Sequence, residues 1–411
     1  MSVYQETGRS AGLTDHHACR LLVVDDNADN RDILTRRLRR LGYTSIAAAE
    51  DGRVALDAIL AAAAANAAYD AVLLDVMMPR MNGVEVLEAL AADPAVRPTP
   101  VIMISASTEL DTVVRCIELG AEDYLPKPFN PVLLRARLGT VLEKKRLRDE
   151  VARQLHRIEN ELAEARRQQL SMVPDEFPPG VHALMIPARE IGGDLYDCFE
   201  AAPGVLCVAV GDVSGKGVPA ALFMARARSL LRASTLQHVA ATGAPPAPSE
   251  LARTMNEELC KNNSSCMFVT LFVGFIAVAT GRLRFINAGH VRPLRLTPSA
   301  EVTELVTRPG LPLGMMETAG HNDHETILAP GECLVVISDG LPEMTDPEGA
   351  FYTLERVMAD LAALGNAAPE VITATLAANV QAFAAGTPAA DDVTVLALRP
   401  SGLRLSRCRD R

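Results

Sequence analysis

The chain has 411 residues, too many for one ordinary domain, and its 49% hydrophobic and 22% charged residues give the balance of a globular protein. A formal charge of −11 speaks against binding to nucleic acid by general phosphate attraction. Eight scattered cysteines without a Cys-x-x-Cys pair speak against structural zinc and a disulfide framework, and they fit a reducing, cytoplasmic compartment.

Residues 1–19 read as a disordered tail with no apolar signal core. From 20 to 140, apolar runs (RLLVVDD, YTSIAAA, AVLLD, PVIMISA, DYLPKP) alternate with helix-like stretches such as Asn30 to Leu41 and Gly83 to Ala92. This alternation predicts an α/β domain, a doubly wound, five-stranded parallel sheet covered on both faces. Ligands of such sheets bind at the carboxyl ends of the strands. Asp25, Asp26, Asp75, Ser105 and Lys127 all stand at strand ends. Three converging carboxylates are costly unless a cation neutralises them, and oxygen ligands suit Mg²⁺. A lysine and a hydroxyl on the same edge would complete a site for a phosphoryl group.

With VVDDN, LLDVMMPRMNG, MISA and YLPKPF in order, the segment resembles the response-regulator receiver domain. The resemblance implies that Asp75 is the phosphoacceptor, charged by a cognate histidine kinase. It implies that Asp25, Asp26 and Asp75, with the carbonyl of Met77, hold Mg²⁺. It also implies that Lys127 contacts the phosphate and that Ser105 and Tyr124 form a switch pair.

Glycine and proline vanish between residues 141 and 169, and the helix that starts at Pro131 reads on without a break. Val141, Val151, Leu155, Ile158, Leu162 and Ala165 fit an a/d register that Lys144 and Arg148 interrupt. The expectation for 141–172 is a coiled-coil linker that pairs two copies into a homodimer; a solvated single helix is the plainer alternative.

Residues 173–400 carry strand candidates at VLCVAVGDV, MFVTLFVGFIAVA, RLRFINAG, ECLVVISDG and DVTVLAL. Helix candidates are Pro219 to Ala233, Ser249 to Lys261, Leu354 to Leu364 and Pro369 to Ala385. Bunched strands with helices between them predict an α+β domain, a β-sandwich flanked by helices. The apolar run Val269 to Ala279 is shorter than the ~20 residues that cross a bilayer, so no membrane segment is expected. Residues 401–411 read as a tail.

Four acidic turns stand out in this half: REIGGDLYD with Asp194, GDVSGKGVPAAL with Asp212, ISDGLPE with Asp339, and AADDVTVLAL with Asp391 and Asp392. Strand ends and glycines frame them, which suggests an oxygen-rich site for two hard cations ~3.5–4 Å apart. The nucleotide-site alternatives fit poorly. A GG(D/E)EF cyclase needs an acid where Leu195 stands. GDVSGK is one residue short of a phosphate loop, and Gly217 follows its lysine in place of a hydroxyl residue.

PAREIGGDLYD, GDVSGKGVPAAL, NAGH, SDGLPE and DDVTVL, in this order, resemble the metal-dependent PPM protein phosphatases of the SpoIIE-like branch. The resemblance implies two Mn²⁺ or Mg²⁺ ions. Asp194 and Asp212 would hold one, and Asp212 would bridge to the second, which Asp339 and Asp391 hold; the Val213 carbonyl is a further candidate ligand. It implies in-line attack of water on phosphoserine or phosphothreonine without a covalent enzyme intermediate. The implied substrate is a phosphorylated anti-sigma-factor antagonist of the STAS fold. Asp392 is expected behind the ligands rather than among them. Arg189 is a candidate for the substrate phosphate or a plain surface arginine. His290 is a candidate acid or a locally bonded histidine, and the general acid stays open because Ser214 and Gly215 follow Val213. His321 and His324 read as solvated loop. The expected protein is a response regulator with a phosphatase output; the alternative is an inert second domain that sequesters a partner under receiver control.

Overall fold

The computed structural model describes residues 19–400 apart from 95, 97, 98, 107–109, 189, 190 and 309, and apart from the side chains of 110–112. The chain divides into two compact units that meet between Arg157 and Ile158.

The first unit contains β1 (Arg20–Val24), α1 (Ala28–Arg40), β2 (Ser45–Ala49), α2 (Gly52–Ala64), β3 (Ala71–Asp75), α3 (Gly83–Ala92), β4 (Val101–Ser105), α4 (Leu110–Glu118) and β5 (Asp123–Pro126). The strands form one parallel sheet in the order β2-β1-β3-β4-β5. Every residue of β3 and β4 is buried, because helices cover both faces. That is why these strands are almost unbroken apolar runs. One face packs Leu22, Val24, Val72 and Leu74 against α2 and α3; the other packs Leu21, Val23, Leu73 and Ile104 against α1 and the next helix. Asn82 starts α3 with a capping box closed by Glu85.

That next helix, α5, runs from Pro131 to Leu170. Leu134, Leu138 and Val141 bury into the receiving core, but Leu147, Val151, Leu155 and Ile158 are each more than half exposed. The interruptions at Lys144 and Arg148 have a local reason. Both side chains ion-pair with Glu122, ahead of β5, so they serve the first unit and not a helical seam. Lys145 reaches Asp70 in the same way, at 3.3 Å.

The second unit contains β6 (Val181–Ile186), β7 (Leu195–Ala202), β8 (Val205–Val213), α6 (Val218–Thr242), α7 (Pro248–Cys260), β9 (Val269–Ala277), β10 (Arg282–Ala288), β11 (Leu294–Leu296), β12 (Val302–Glu304), β13 (His324–Ile327), β14 (Cys333–Ile337), α8 (Leu354–Leu364), α9 (Pro369–Ala384) and β15 (Val393–Leu398). Two antiparallel sheets result, β13-β10-β9-β8-β7 and β12-β11-β14-β15-β6. Their facing sides interlock through Tyr196, Val208, Phe272, Phe285, Val336 and Leu396. Helices α6 and α7 cover the first sheet, through Met224, Leu251 and Met255. Helices α8 and α9 cover the second, through Val357, Leu361, Ile372 and Leu376.

Strand β8 shows why its run is continuous. Cys207, Ala209 and Val213 face the helices, while Leu206, Val208 and Val210 face the other sheet. Asp212 lies within β8, as the strand candidate VLCVAVGDV implies, and pairs with Thr270 of β9 in a ladder that extends to Val213 and Val269. One expectation needs correcting. His324 is not loop; it begins β13, and its ring centroid lies 5.4 Å from that of Phe285. No helix among the described residues is long and apolar enough to cross a membrane.

Candidate functional site

The parallel sheet gathers its polar residues at the carboxyl edge. Asp25, Asp26 and Asp75 each offer a carboxylate oxygen within 4.8 Å of the others. Asp25 is fixed before any ligand arrives: its Oδ1 accepts from the Asn27 amide and from Asn30 Nδ2, both at 3.0 Å. Lys127 Nζ sits between Asp25 Oδ2 and Asp75 Oδ2, 2.8 Å from each. Burial raises the Asp75 carboxyl above its ordinary value, and nearby Asp25 adds to this while Lys127 opposes it. Burial alone would lower the Lys127 ammonium, but its bonds to Asp25 and Asp75 leave it raised. Ser105 is buried at the end of β4, and the Tyr124 hydroxyl lies 3.5 Å from the Ser105 carbonyl. Met77 is 73% exposed. One cation paired with two buried acids and a third exposed one leaves negative charge over, which suits a divalent cation.

In the second unit the four acidic turns meet. Asp194 precedes β7, Asp212 lies in β8, Asp339 follows β14 and Asp391 precedes β15. Burial pushes the Asp194 carboxyl well up, and Asp212 pushes it further. Burial, then Asp339 and Asp391, push Asp212 up to about 7. Asp339 is raised by burial and by Asp391. Mutual repulsion of this kind marks a site shaped for cations. Among the described residues, no three of these four bring their oxygens within 4.8 Å of one another.

The model of the response regulator receiver domain matches residues 21–139, and that of Stage II sporulation protein E (SpoIIE) matches residues 202–401. Protein IcfG of Synechocystis is 28% identical over 262 residues, which cover 58% of this chain and 41% of IcfG. The chain therefore spans less than half the length of that relative. The DNA-binding response regulator MtrA of Mycolicibacterium paratuberculosis is 38% identical over 164 residues, covering 38% of this chain and 68% of MtrA. The chain belongs to the response regulators, with a SpoIIE domain as its second half. The fold of that half is similar to the SiaA-PP2C domain of Pseudomonas aeruginosa, with a TM-score of 0.53 at 21% identity, over 60% of this chain and 98% of that one.

Within the SpoIIE domain, Asp392 explains the two glycines of the Asp194 turn. Its carboxylate accepts from the amides of Ala188 (2.8 Å), Gly193 (2.6 Å) and Asp194 (3.3 Å). A Cβ on Gly192 would stand 2.1 Å from Asp392 Oδ2, and one on Gly193 would stand 2.9 Å from the Val213 carbonyl. The glycines thus let a backbone wrap a carboxylate and approach β8 closely. Thr394 Oγ1 donates to Asp194 Oδ2 at 2.6 Å and sets the acid's rotamer.

Sequence reasoning missed Gln169. At the end of α5, this side chain is only 5% exposed. Its Nε2 donates to the Gly192 carbonyl at 2.7 Å, and its Oε1 accepts from the Gly192 amide at 3.1 Å. The two-way bridge ties the last turn of the helix to the turn that carries Asp194. Its only sequence signal is an amide where the a/d register continues past Ala165.

His290 is fully enclosed. Its Nδ1 lies 2.9 Å from Thr270 Oγ1, which in turn donates to the Asp212 carbonyl at 3.4 Å. Burial pulls the imidazole down to about 4, so it is neutral near pH 7 and acts as a strut behind β8. His321 bonds the Leu311 carbonyl at 2.8 Å. Arg189 lies outside the described residues, as do the tails 1–18 and 401–411.

Proposed function

We propose that the chain is a cation-dependent phosphoserine/phosphothreonine protein phosphatase under the control of its receiver, working in the cytoplasm. The observation that carries the reading is the meeting of Asp194, Asp212, Asp339 and Asp391, each raised or flanked by the others' charge, in a domain of PP2C fold. An inert, sequestering domain would have no use for an intact set of repelling acids. Residues 20–140 serve as receiver, 141–172 as linker and 173–400 as phosphatase. Asp194 and Asp212 would hold one Mn²⁺ or Mg²⁺ and Asp212, Asp339 and Asp391 the second, with the Val213 carbonyl as a further ligand. Such ions, when bound, activate water and neutralise the phosphate. Asp25, Asp26, Asp75 and the Met77 carbonyl would hold Mg²⁺ in the receiver, where Asp75 takes a phosphoryl group from a histidine kinase and Lys127, Ser105 and Tyr124 read it.

The likeness to the SpoIIE branch supports a STAS-type phosphoprotein as substrate. Control would pass along α5. The exposed stripe Leu147, Val151, Leu155 and Ile158 offers a face for a second copy, and Gln169 ends the helix on the Asp194 turn. The test is release of phosphate from a phosphoserine peptide by the full chain, in Mn²⁺ against EDTA, with Asp212→Asn as comparison. Release that requires Mn²⁺ and falls at least a hundredfold in the variant supports the reading, since the bridging acid sets both ions. Undiminished release by a folded Asp212→Asn protein would sink it.

A further inference from the structure

Four carboxylates surround the place where a phosphate dianion must bind, so a cation on the protein's own side chains is needed at the rim. Among the described residues, the SpoIIE domain offers one there: Lys216. Its Nζ lies 3.3 Å from Asp391 Oδ2 and donates to the Ala390 carbonyl. It also acts against the rise of the Asp339 carboxyl. Two other cations of the domain, Arg228 and Arg232, are committed elsewhere. Arg232 grips Asp197 with two bonds of 2.6 Å, and Arg228 adds a third contact at 3.1 Å.

The Lys216 pair is loose where the Asp197 pair is tight. Both its partners are 39% exposed, and an exposed ion pair is worth only ~0–1 kcal/mol. Gly215 and Gly217 flank the lysine with positive φ, +89° and +74°, and neither has a neighbour within reach of a Cβ. The backbone on either side of the lysine is therefore open, and its side chain is partly exposed. A divalent ion held by Asp391 would compensate that carboxylate and so weaken its hold on the ammonium.

We propose that Lys216 binds the substrate: its ammonium leaves Asp391 when the cation site fills and hydrogen-bonds the phosphate of the phosphoserine or phosphothreonine. This rests on the phosphatase reading and adds to it the residue that recognises the dianion. The competing role, a lysine that merely shapes the cation site, makes a different forecast. Its loss would change cation affinity, whereas loss of a phosphate ligand changes anion affinity.

The experiment uses the full chain, as parent, Lys216→Ala and Lys216→Arg. Phosphorus NMR titration with inorganic phosphate in Mg²⁺ reads anion binding, calorimetry without phosphate reads Mg²⁺ binding, and peptide turnover in Mn²⁺ reads KM and kcat apart. Loss of one charge-assisted bond should weaken phosphate binding and raise KM by roughly tenfold in Lys216→Ala, with kcat within about threefold. Lys216→Arg should stay within about threefold of the parent, and Mg²⁺ affinity should hold or tighten. Unchanged phosphate affinity in Lys216→Ala, or a fall in Mg²⁺ affinity that accounts for the loss, overturns the assignment. A parent that releases no phosphate at all overturns the phosphatase reading itself, and is told apart by the parent alone.

Discussion

Gln169→Ala isolates the joint between the long helix and the Asp194 turn. The substitution removes two hydrogen bonds, of 2.7 and 3.1 Å, and strands the amide and carbonyl of Gly192 in a buried setting. A buried polar group left without a partner costs ~1–3 kcal/mol, so two of them cost the ordered turn about 2–6 kcal/mol. At about 1.4 kcal/mol per factor of ten, its equilibrium constant falls by about thirtyfold or more. Asp194 rides on that turn one residue beyond Gly193, so phosphate release at fixed Mn²⁺ should fall at least tenfold. Excess Mn²⁺ should restore part of it, because cation binding favours the ordered turn. Gln169→Glu makes a sharper comparison. It keeps an acceptor for the Gly192 amide but sets a carboxylate against the Gly192 carbonyl, and should lose as much. The assay is initial-rate phosphate release across a Mn²⁺ titration, with circular dichroism to verify the fold. A folded Gln169→Ala protein within twofold of the parent at every Mn²⁺ concentration would refute the joint.

The acids of the SpoIIE domain also predict a pH dependence. Burial, Asp339 and Asp391 push folded Asp212 from 3.8 to about 7, so the folded state holds more protons than the unfolded one between those values. Metal-free stability is then greatest at the acid end of that window and falls as pH rises through it. Melting temperature in EDTA should drop from pH 5 to pH 8, Asp212→Asn should flatten the drop, and Mn²⁺ should reverse it at pH 8. Four residues inserted after Glu159 would turn the two ends of α5 by about one turn plus a fraction. The insertion should uncouple phosphorylation from release while both domains keep their own chemistry; a full response in the inserted protein would favour a route outside the helix.

The parallel sheet was legible because strands buried on both faces must be largely apolar, and β1, β3 and β4 are, with Arg20, Asp75 and Ser105 only at their ends. Helix α2 was less so: GRVALDAILAAAA shows little polar alternation, since small alanines serve either side. In the SpoIIE domain, the acids declared themselves through adjoining glycines and strands. β7 did not, because LYDCFEAA places Asp197 inward, where only Arg228 and Arg232 make it tolerable. The short strands β11, β12 and β13 carry too few residues for a period. Gln169 was hidden for a different reason: its partner is the backbone of Gly192, and a backbone partner leaves no pattern in side chains. Lys144 and Arg148 looked like flaws in a heptad, yet they answer Glu122 across the fold and not their neighbours along the helix.

Receiver control of phosphate release is the central claim, and one measurement addresses it directly. The full chain is incubated with a phosphoserine peptide, Mn²⁺ and Mg²⁺, with and without phosphoramidate, and release is compared between the parent and Asp75→Asn. Asp75 is one of two buried acids that Lys127 reaches at 2.8 Å and the phosphoacceptor that the receiver resemblance implies, so it should take the phosphoryl group, and the parent's rate should change by several-fold when the donor is present. Asp75→Asn should take up no label and show one rate under both conditions. A donor response that survives Asp75→Asn, or a labelled parent whose rate does not move, would contradict the account.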